Sequence, residues 1–210
     1  MTDAIEIVRV TGADLERWIS ELARLRIRVF RDWPYLYDGD ADYEARYLRT
    51  YRDAAGSVVV LARDAGRIVG ASTGLPLNEE TAEVEAPFIA AGYDPNQVFY
   101  LGESVLLPEY RGRGLGVRFF TEREAHARAL TESPGHPFGP LKTFAFCAVE
   151  RSADDPRRPP DHVPLDRFWQ NRGYTRHPEL RTEFSWQELG EPAETPKPMV
   201  FWLKPASAGC

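Results

Sequence analysis

Residues 98–120, VFYLGESVLLPEYRGRGLGVRFF, restrict what this chain can fold into more than any other segment. The first ten residues are mostly apolar and predict a strand, and the residues from Gly114 onward have the composition and apolar spacing of a helix. Between the two lie Pro108 and the glycines Gly112, Gly114 and Gly116. Strand, proline turn, glycines and helix therefore follow one another directly.

This arrangement predicts an anion site. Glycines let backbone N–H groups approach a ligand closely, and a following helix presents its unpaired N–H groups and positive dipole end at the same place. Phosphate is the most natural ligand, and Arg111 and Arg113 would each add charge-assisted hydrogen bonds of about 1.5–3 kcal/mol. Neither the Walker pattern nor the dinucleotide G-x-G-x-x-G spacing is present. The alternative is that the glycines serve only a tight turn.

The whole chain predicts the order β, α, α, β, β, β, α, β, α, β, β, with a hairpin at 57–75 and an acidic loop with one short helix at most at 76–97. Its 210 residues, 43% of them hydrophobic, are enough for one buried core and few for two. We expect an α/β (α+β) fold in which helices flank a mixed central sheet, as one domain over 1–205 with a short tail at 206–210.

Composition limits the partners. Lys and Arg total 26 against 32 Asp and Glu, and a net charge of −6 argues against nucleic acid or an anionic membrane as the main partner. The N-terminus has no signal-peptide layout and no apolar stretch approaches the roughly 18 residues of a spanning helix, so we expect a cytoplasmic protein. Cys147 and Cys210 have no neighbours at metal-ligand spacing, which predicts neither a disulfide nor a bound metal.

The motif resembles that of the GNAT superfamily of acetyl-CoA-dependent N-acetyltransferases. In that family a strand with a local break leads through a proline and R/Q-x-x-G-x-G/A into a helix, and residues 106–116 here are LLPEYRGRGLG. The predicted hairpin and the late segment FWQNRGY at 168–174 match as well, so the resemblance covers nearly the whole chain. It implies a GNAT-like fold, acetyl-CoA as co-substrate, and direct attack of an amine on the thioester.

The resemblance also implies where acetyl-CoA would bind. Backbone groups around Leu106 and Leu107 would hold the pantetheine arm. The pyrophosphate would lie on the loop formed by Arg111, Gly112, Arg113, Gly114, Leu115 and Gly116.

The reaction needs a neutral amine. A lysine-like amine with a pKa near 10.4 costs roughly 4.6 kcal/mol to present neutral at pH 7, which calls for a base or a desolvating pocket. Glu103, a carboxylate in an apolar strand, and Tyr100, near where the family often has its base, are the predicted catalytic residues. Strand alternation places them on opposite faces, so both line one cleft only if a bulge intervenes. The alternatives are a structural carboxylate paired with an arginine and an ordinary core aromatic.

The general acid is less evident. Where the family often has a tyrosine on its late helix, this chain has Trp169, and Tyr174 is expected to pack in the core. Cys147, His162 and Glu150 are candidates only because we expect them near the predicted cleft. A thiolate whose thiol has a pKa near 8.5 can also leave without a dedicated acid.

The acceptor is not determined by the sequence. The aromatic segment FRDWPYLYD at 30–38 and the acidic residues of 79–85 form either a pocket for a cationic amine or a packed helix junction with a solvated loop. We expect a small-molecule or peptide amine, and leave a homodimer open. The tryptophan at position 169 also leaves open a non-catalytic domain that binds acyl-CoA as a sensor or partner module.

Overall fold

A computed structural model of the protein describes residues 5–133, 135 and 137–206. In this part of the chain the strands are β1 Glu6–Val10, β2 Val58–Asp64, β3 Arg67–Pro76, β4 Val98–Tyr100, β5 Ser104–Leu106, β6 Thr143–Val149, β7 Thr175–Trp186 and β8 Thr195–Pro205. The α-helices are α1 Ile19–Phe30, α2 Ala41–Asp53, α3 Ala82–Ala90, α4 Leu115–Glu132 and α5 Asp166–Gln170.

All of the strands belong to one mixed sheet. Its order is β1-β2-β3-β4-β6-β8-β7, and β5 pairs with β3 beside β4. Neighbours are antiparallel except β4 and β6, which are parallel. The protein is a single α+β domain with helices on both faces of the sheet, as the sequence predicted. Of the predicted tail at 206–210, only Ala206 lies within the described residues.

The motif strand predicted over 98–107 is interrupted, as it must be if Tyr100 and Glu103 are to line one cleft. Gly102 N–H donates to the carbonyl of Thr73 at 3.0 Å, and Thr73 N–H donates to the carbonyl of Glu103 at 3.0 Å. Two residues thus oppose one, which is a β-bulge. The N–H of Leu101 still donates to Ala145 in β6 at 2.7 Å. The strand therefore turns away from β6 after residue 101, while β5 stays paired with β3.

A buried arginine of α4 stabilises this bulge. Arg123 is 1% exposed, and its guanidinium donates to the carbonyls of Thr73 at 3.0 Å and Glu103 at 3.2 Å and to the Ser104 hydroxyl at 3.0 Å. Burial lowers the pKa of Arg123 to about 10, so the side chain remains charged at neutral pH. Each of these two carbonyls also accepts a backbone N–H of the bulge, so Arg123 is their second donor, and these acceptors explain a charged residue on the buried face of a helix.

The two faces of the sheet meet different helices. Phe146 packs on Trp169 of α5, with ring centroids 5.1 Å apart, and Phe99 packs near His126 of α4. The alternate residues Tyr100 and Cys147 point to the opposite face, toward α1 and α2, because successive strand side chains alternate.

Three helical segments differ from the prediction. The first helix begins as a 3-10 turn, Gly12–Trp18, before α1. The second helix, which the spacing of Tyr43, Tyr47 and Tyr51 predicts within 35–52, begins only at Ala41, because Asp40 caps it by accepting the N–H of Tyr43 at 2.7 Å. Within the acidic segment expected to be mainly loop, residues 82–90 form α3 despite Pro87 in its interior.

Candidate active site

The glycine loop has the geometry of an anion site. Gly112 and Gly114 have φ angles of +74° and +78°, a region that favours glycine, and Gly114 is the N-cap of α4 without any side-chain cap. A Cβ on Gly116 would lie 3.1 Å from the Phe168 ring, so that position is also restricted. The first N–H groups of the 18-residue helix α4 have no acceptor within the helix and are available to a ligand.

Two exposed arginines flank these N–H groups. Arg111 Nε donates to the Leu106 carbonyl at 3.4 Å, and Arg113 donates to the Glu109 carbonyl at 3.0 Å while lying over the Tyr110 ring. Leu115 is buried in the core and anchors the start of α4. The predicted phosphate residues are therefore together on one surface, with positive charge at the helix end.

One edge of β5 is open. The N–H of Leu107 donates to the carbonyl of Val69 at 3.0 Å, and the carbonyl of Leu107 accepts the N–H of Tyr110 at 3.0 Å. Both backbone groups of Leu107 are therefore paired within the fold. Antiparallel pairing alternates, so Ser104 and Leu106 direct their backbone groups away from β3, and no strand in the described ranges pairs with that edge. Of the two residues predicted to hold the pantetheine arm, Leu106 is thus the one with an available backbone N–H, while its carbonyl accepts Arg111 Nε at 3.4 Å.

A cavity of about 400 Å³ lies at the bulge, on the face toward α1 and α2. The extra residue of the bulge shifts the alternation of side chains by one position. Tyr100 and Glu103 therefore lie on the same face, and both line the cavity. The other walls come from both early helices and the segment between them, from α3 and the segment before it, and from β6, β7 and β8. They are Arg26, Phe30, Tyr35, Tyr37, Tyr43, Glu44, Tyr47, Glu80, Thr81, Glu83, Val84, Gly102, Cys147, Glu183, Phe184, Ser185, Trp186 and Met199.

The cavity is acidic and aromatic. Five glutamates and one arginine line it. Arg26 is buried, forms ion pairs with Glu44 and Glu103, and lies 4.4 Å from the centroid of the Tyr47 ring. The aromatic segment at 30–38 contributes Phe30 and Tyr35 as well as Tyr37, so part of it is a pocket wall.

Two neighbouring tyrosine hydroxyls lie between two carboxylates at this cavity. The Tyr47 hydroxyl donates to Glu103 Oε2 at 3.1 Å and lies 3.0 Å from the Tyr51 hydroxyl, which donates to Glu80 Oε1 at 3.3 Å. Burial raises the pKa of both tyrosines well above the usual range, so both hydroxyls stay protonated. Each hydroxyl has one proton, so each neutral tyrosine donates to one carboxylate and adds no charge between them.

Glu80 is the site residue that sequence reasoning missed. The pKa of Glu80 is raised to about 7, mainly by burial. The hydrogen bond from the Thr81 N–H acts in the opposite direction, and the negative charge of Glu103 adds to the increase. The acidic cluster at 79–85 was visible in the sequence, but nothing in its spacing indicated which glutamate would be buried. Glu79, one residue earlier, instead accepts the Gly56 N–H at 3.0 Å.

Tyr100 is bonded to a thiol. Its hydroxyl lies 3.0 Å from Cys147 Sγ, and both side chains are buried. Burial raises the pKa of Cys147 to about 12 and that of Tyr100 well above 10. Both groups are neutral at physiological pH.

The other candidates for the acid lie elsewhere. Trp169, His162 and Glu150 line a second cavity of about 300 Å³, and Glu150 is ion-paired with Arg176 and, at 2.6 Å, with Arg181. Tyr174 is 1% exposed and donates to Glu124 at 3.0 Å, in the core as predicted.

Neither membrane nor metal features are found in the described ranges. No helix there is both long and apolar enough to span a bilayer, and no group of three or more His, Cys, Asp or Glu side chains is arranged to hold a metal ion. Cys210 lies outside these ranges.

Comparison with known proteins identifies the family. Residues 21–133, more than half of the chain, match the model of the acetyltransferase (GNAT) family. The chain belongs to this family, in which acetyl-CoA use is typical, and the GNAT-like fold expected from the motif is confirmed. No curated protein matches the chain.

Solved structures show the same fold at low identity. The yncA protein of Salmonella typhimurium, solved with its cofactor acetyl-CoA, has a TM-score of 0.59 and 11% identity over 99% of this chain and 97% of that one. The ribosomal-protein-alanine N-acetyltransferase of Brucella melitensis has a TM-score of 0.58 and 14% identity, over 95% and 99%. An N-acetyltransferase of Staphylococcus aureus Mu50 has a TM-score of 0.56 and 9% identity, over 96% and 99%.

Proposed function

We propose that this protein is an N-acetyltransferase that moves the acetyl group of acetyl-CoA to a primary amine, which attacks the thioester directly. The observation that supports it is the bulge at residues 101–103. It separates β5 from β6, leaving an open strand edge that leads to the glycine loop, and it brings two polar side chains into one cavity. A donor surface and an acceptor cavity thus meet at one break in the sheet.

The donor half fits coenzyme A. The N–H groups at the start of α4, with Arg111 and Arg113 beside them, suit the pyrophosphate, and the open edge at Leu106 offers backbone groups to the amide-containing pantetheine arm. Bound at one hundred times its dissociation constant, CoA should stabilise the fold by about 2.7 kcal/mol. A melting temperature unmoved by millimolar CoA would count against this half.

The acceptor half fits a cationic amine. Glu83 and Glu183 are exposed at the cavity and have no ion pair among the described residues, whereas the Arg26 charge is taken up by Glu44 and Glu103. The surplus negative charge raises the local concentration of a protonated amine, and aromatic walls favour a cation over their ring faces. A small-molecule amine and a peptide N-terminus both satisfy this description.

Glu103 and Tyr100 remain the proposed catalytic pair, tested by substitution. Glu103→Gln and Tyr100→Phe are compared with the wild-type protein for kcat/KM between pH 6 and 10, following release of the CoA thiol with a library of amines. Replacing a side chain that contacts the reacting groups should reduce turnover, whereas replacing a structural side chain alters stability more than turnover. Near-normal turnover in both variants would remove both residues from the chemistry.

The second candidate function is a domain that binds acyl-CoA without turnover. Trp169 favours it, because the side chain at the usual acid position has no hydroxyl and packs between Phe146 and Trp202. CoA binding without thiol release with any amine would establish this function instead.

A further inference from the structure

Glu80 occupies an unusual place for a surface-loop carboxylate. It follows the 3-10 turn Leu77–Glu79, and its N–H donates to the carbonyl of Leu77 at 3.0 Å, so its backbone is held. Its side chain turns into the cavity, where it accepts the Thr81 N–H at 3.0 Å and the Tyr51 hydroxyl at 3.3 Å. No ion pair to Glu80 is present among the described residues, which distinguishes it from most of the other buried carboxylates.

Glu103 is differently engaged. One of its oxygens contacts the buried guanidinium of Arg26 and the other accepts the Tyr47 hydroxyl at 3.1 Å. A proton placed on Glu103 would remove one of the two carboxylate partners of a buried arginine, and a buried charge that loses a partner is costly. Glu80 can take up a proton without breaking an ion pair.

The groups that face Glu80 define its proton affinity. Tyr47 and Tyr51 face it from α2. Glu103 faces it from the bulge, together with its ion-pair partner Arg26 from α1. Tyr100 and Cys147 face it from β4 and β6, Glu183 from β7, and Glu83 from its own segment. The tyrosines and the thiol are neutral, so the nearby negative charges add to the desolvation of Glu80. Its pKa of about 7, against an ordinary 4.5, corresponds to a proton affinity about 300-fold higher.

We infer that Glu80 is the general base that takes the proton from the incoming ammonium group, directly or through one water molecule. This inference rests on the proposed acetyltransferase function. The carboxylate receives one proton from the ammonium group. The neutral nitrogen then forms the C–N bond, and the C–S bond breaks with its electron pair going to sulfur. The second nitrogen proton neutralises the CoA thiolate, and the Glu80 proton returns to solvent. A base that titrates near the working pH is the most efficient one.

The first test measures Glu80 itself. Protein labelled with ¹³C at the glutamate carboxyl carbons is titrated by NMR, and the resonance missing in Glu80→Gln is assigned to Glu80. We expect a midpoint near 7, which Glu103→Gln moves to lower pH by removing a negative charge and Tyr51→Phe moves to higher pH by removing a donor. The exposed glutamate variant Glu132→Gln should leave it unchanged. A midpoint near 4.5 would overturn the inference, whatever the function.

The second test asks whether the pH dependence of turnover follows the titration of Glu80. The substrates are acetyl-CoA with, in turn, phenethylamine, 1,4-diaminobutane and a peptide with an N-terminal alanine. In the pH profile of kcat/KM, the limb at low pH should have the midpoint measured for Glu80. Glu80→Gln should abolish that limb and reduce kcat/KM by about 10²–10⁴-fold while CoA binding and the melting temperature persist. In Glu103→Gln the limb should remain but move to lower pH. Turnover in Glu80→Gln with an unchanged limb overturns the role of Glu80 and leaves the proposed function standing. No turnover of any amine by the wild-type protein overturns both.

Discussion

The glycine loop and the acceptor cavity lie at opposite ends of the three-residue strand β5, yet they are built in different ways. The loop is one uninterrupted run, 111–116, whose shape follows from two glycines with positive φ and the helix that begins beside them. The cavity needs side chains from both early helices, four strands and the segment before α3. Its central carboxylates, Glu80 and Glu103, are connected only through two tyrosines of α2.

The difference has a functional meaning. A donor that is the same throughout a family can be bound by a short local motif made of backbone groups, which tolerates change elsewhere in the chain. An acceptor site assembled from distant side chains can change with any one of them. Substitutions in the loop should therefore impair donor binding alone, whereas substitutions at the cavity should alter stability, pH dependence and acceptor use together.

The largest effect is expected in the loop. Gly114→Glu places a carboxylate beside the proposed diphosphate position and should weaken CoA binding by about 1000-fold, roughly 4 kcal/mol. The positive φ of Gly114 adds about 1–2 kcal/mol of strain, so the fold should survive. The control is Gly92→Glu, at a glycine with φ +83° and open space around it, which carries the same strain away from the site. Calorimetric titration with CoA distinguishes them, and equal affinities would place the donor elsewhere.

Next comes the arginine that holds the bulge. Arg123→Met should reduce the free energy of unfolding by about 3 kcal/mol, because the carbonyls of Thr73 and Glu103 each lose one of their two donors and the buried side chain loses its polar partners. Arg118→Met, on the exposed side of the same helix, loses only an i,i+4 pair and should cost less than about 0.5 kcal/mol. Urea denaturation measures both. Similar losses would mean that the bulge does not depend on α4.

A methyl group at the bulge should have a smaller effect. A Cβ on Gly102 would overlap the hydroxyl oxygens of Tyr51 and Thr73, so Gly102→Ala should destabilise the protein by about 2–3 kcal/mol through overpacking. Tyr51→Phe removes one of the overlapping atoms. The double variant should thus be more stable than the sum of the two single changes predicts, by about 1 kcal/mol. Strict additivity would show that the cavity wall adjusts to the added methyl group whether or not the Tyr51 hydroxyl is present.

The smallest effect is the pH dependence of stability caused by Glu80. Its pKa is raised to about 7 in the folded protein, so between the unfolded value near 4.5 and 7 the folded state holds more protons than the unfolded chain. Stability from this group is therefore present at low pH and is lost as pH rises through 7, by about 2 kcal/mol between pH 5 and 8. The melting temperature of Glu80→Gln should decline less over this window than that of the wild-type protein. Parallel declines would mean that Glu80 titrates normally.

Much of the fold followed from local patterns. The hairpin of β2 and β3 and the glycine loop before α4 lie where turn residues and apolar periodicity predicted them, because each depends on near neighbours in the chain. The same periodicity placed α1 but not its 3-10 start. It allowed one short helix within 76–97 without giving its bounds, because Glu83, Glu85 and Pro87 interrupt the apolar pattern of α3. The position of Glu103 was predictable, but its pairing with Arg26 was not, since 77 residues separate them.

By itself the sequence determined the family, the donor loop and the need for a break in the motif strand if two polar residues were to share one cleft. Those conclusions rest on backbone conformation and on residues adjacent in the chain. Only the tertiary structure decided which partly buried carboxylate has no ion pair, which leucine keeps its backbone N–H available, and that Arg123 supports the bulge. Burial and electrostatic environment are properties of how distant segments pack, and no spacing along the chain encodes them.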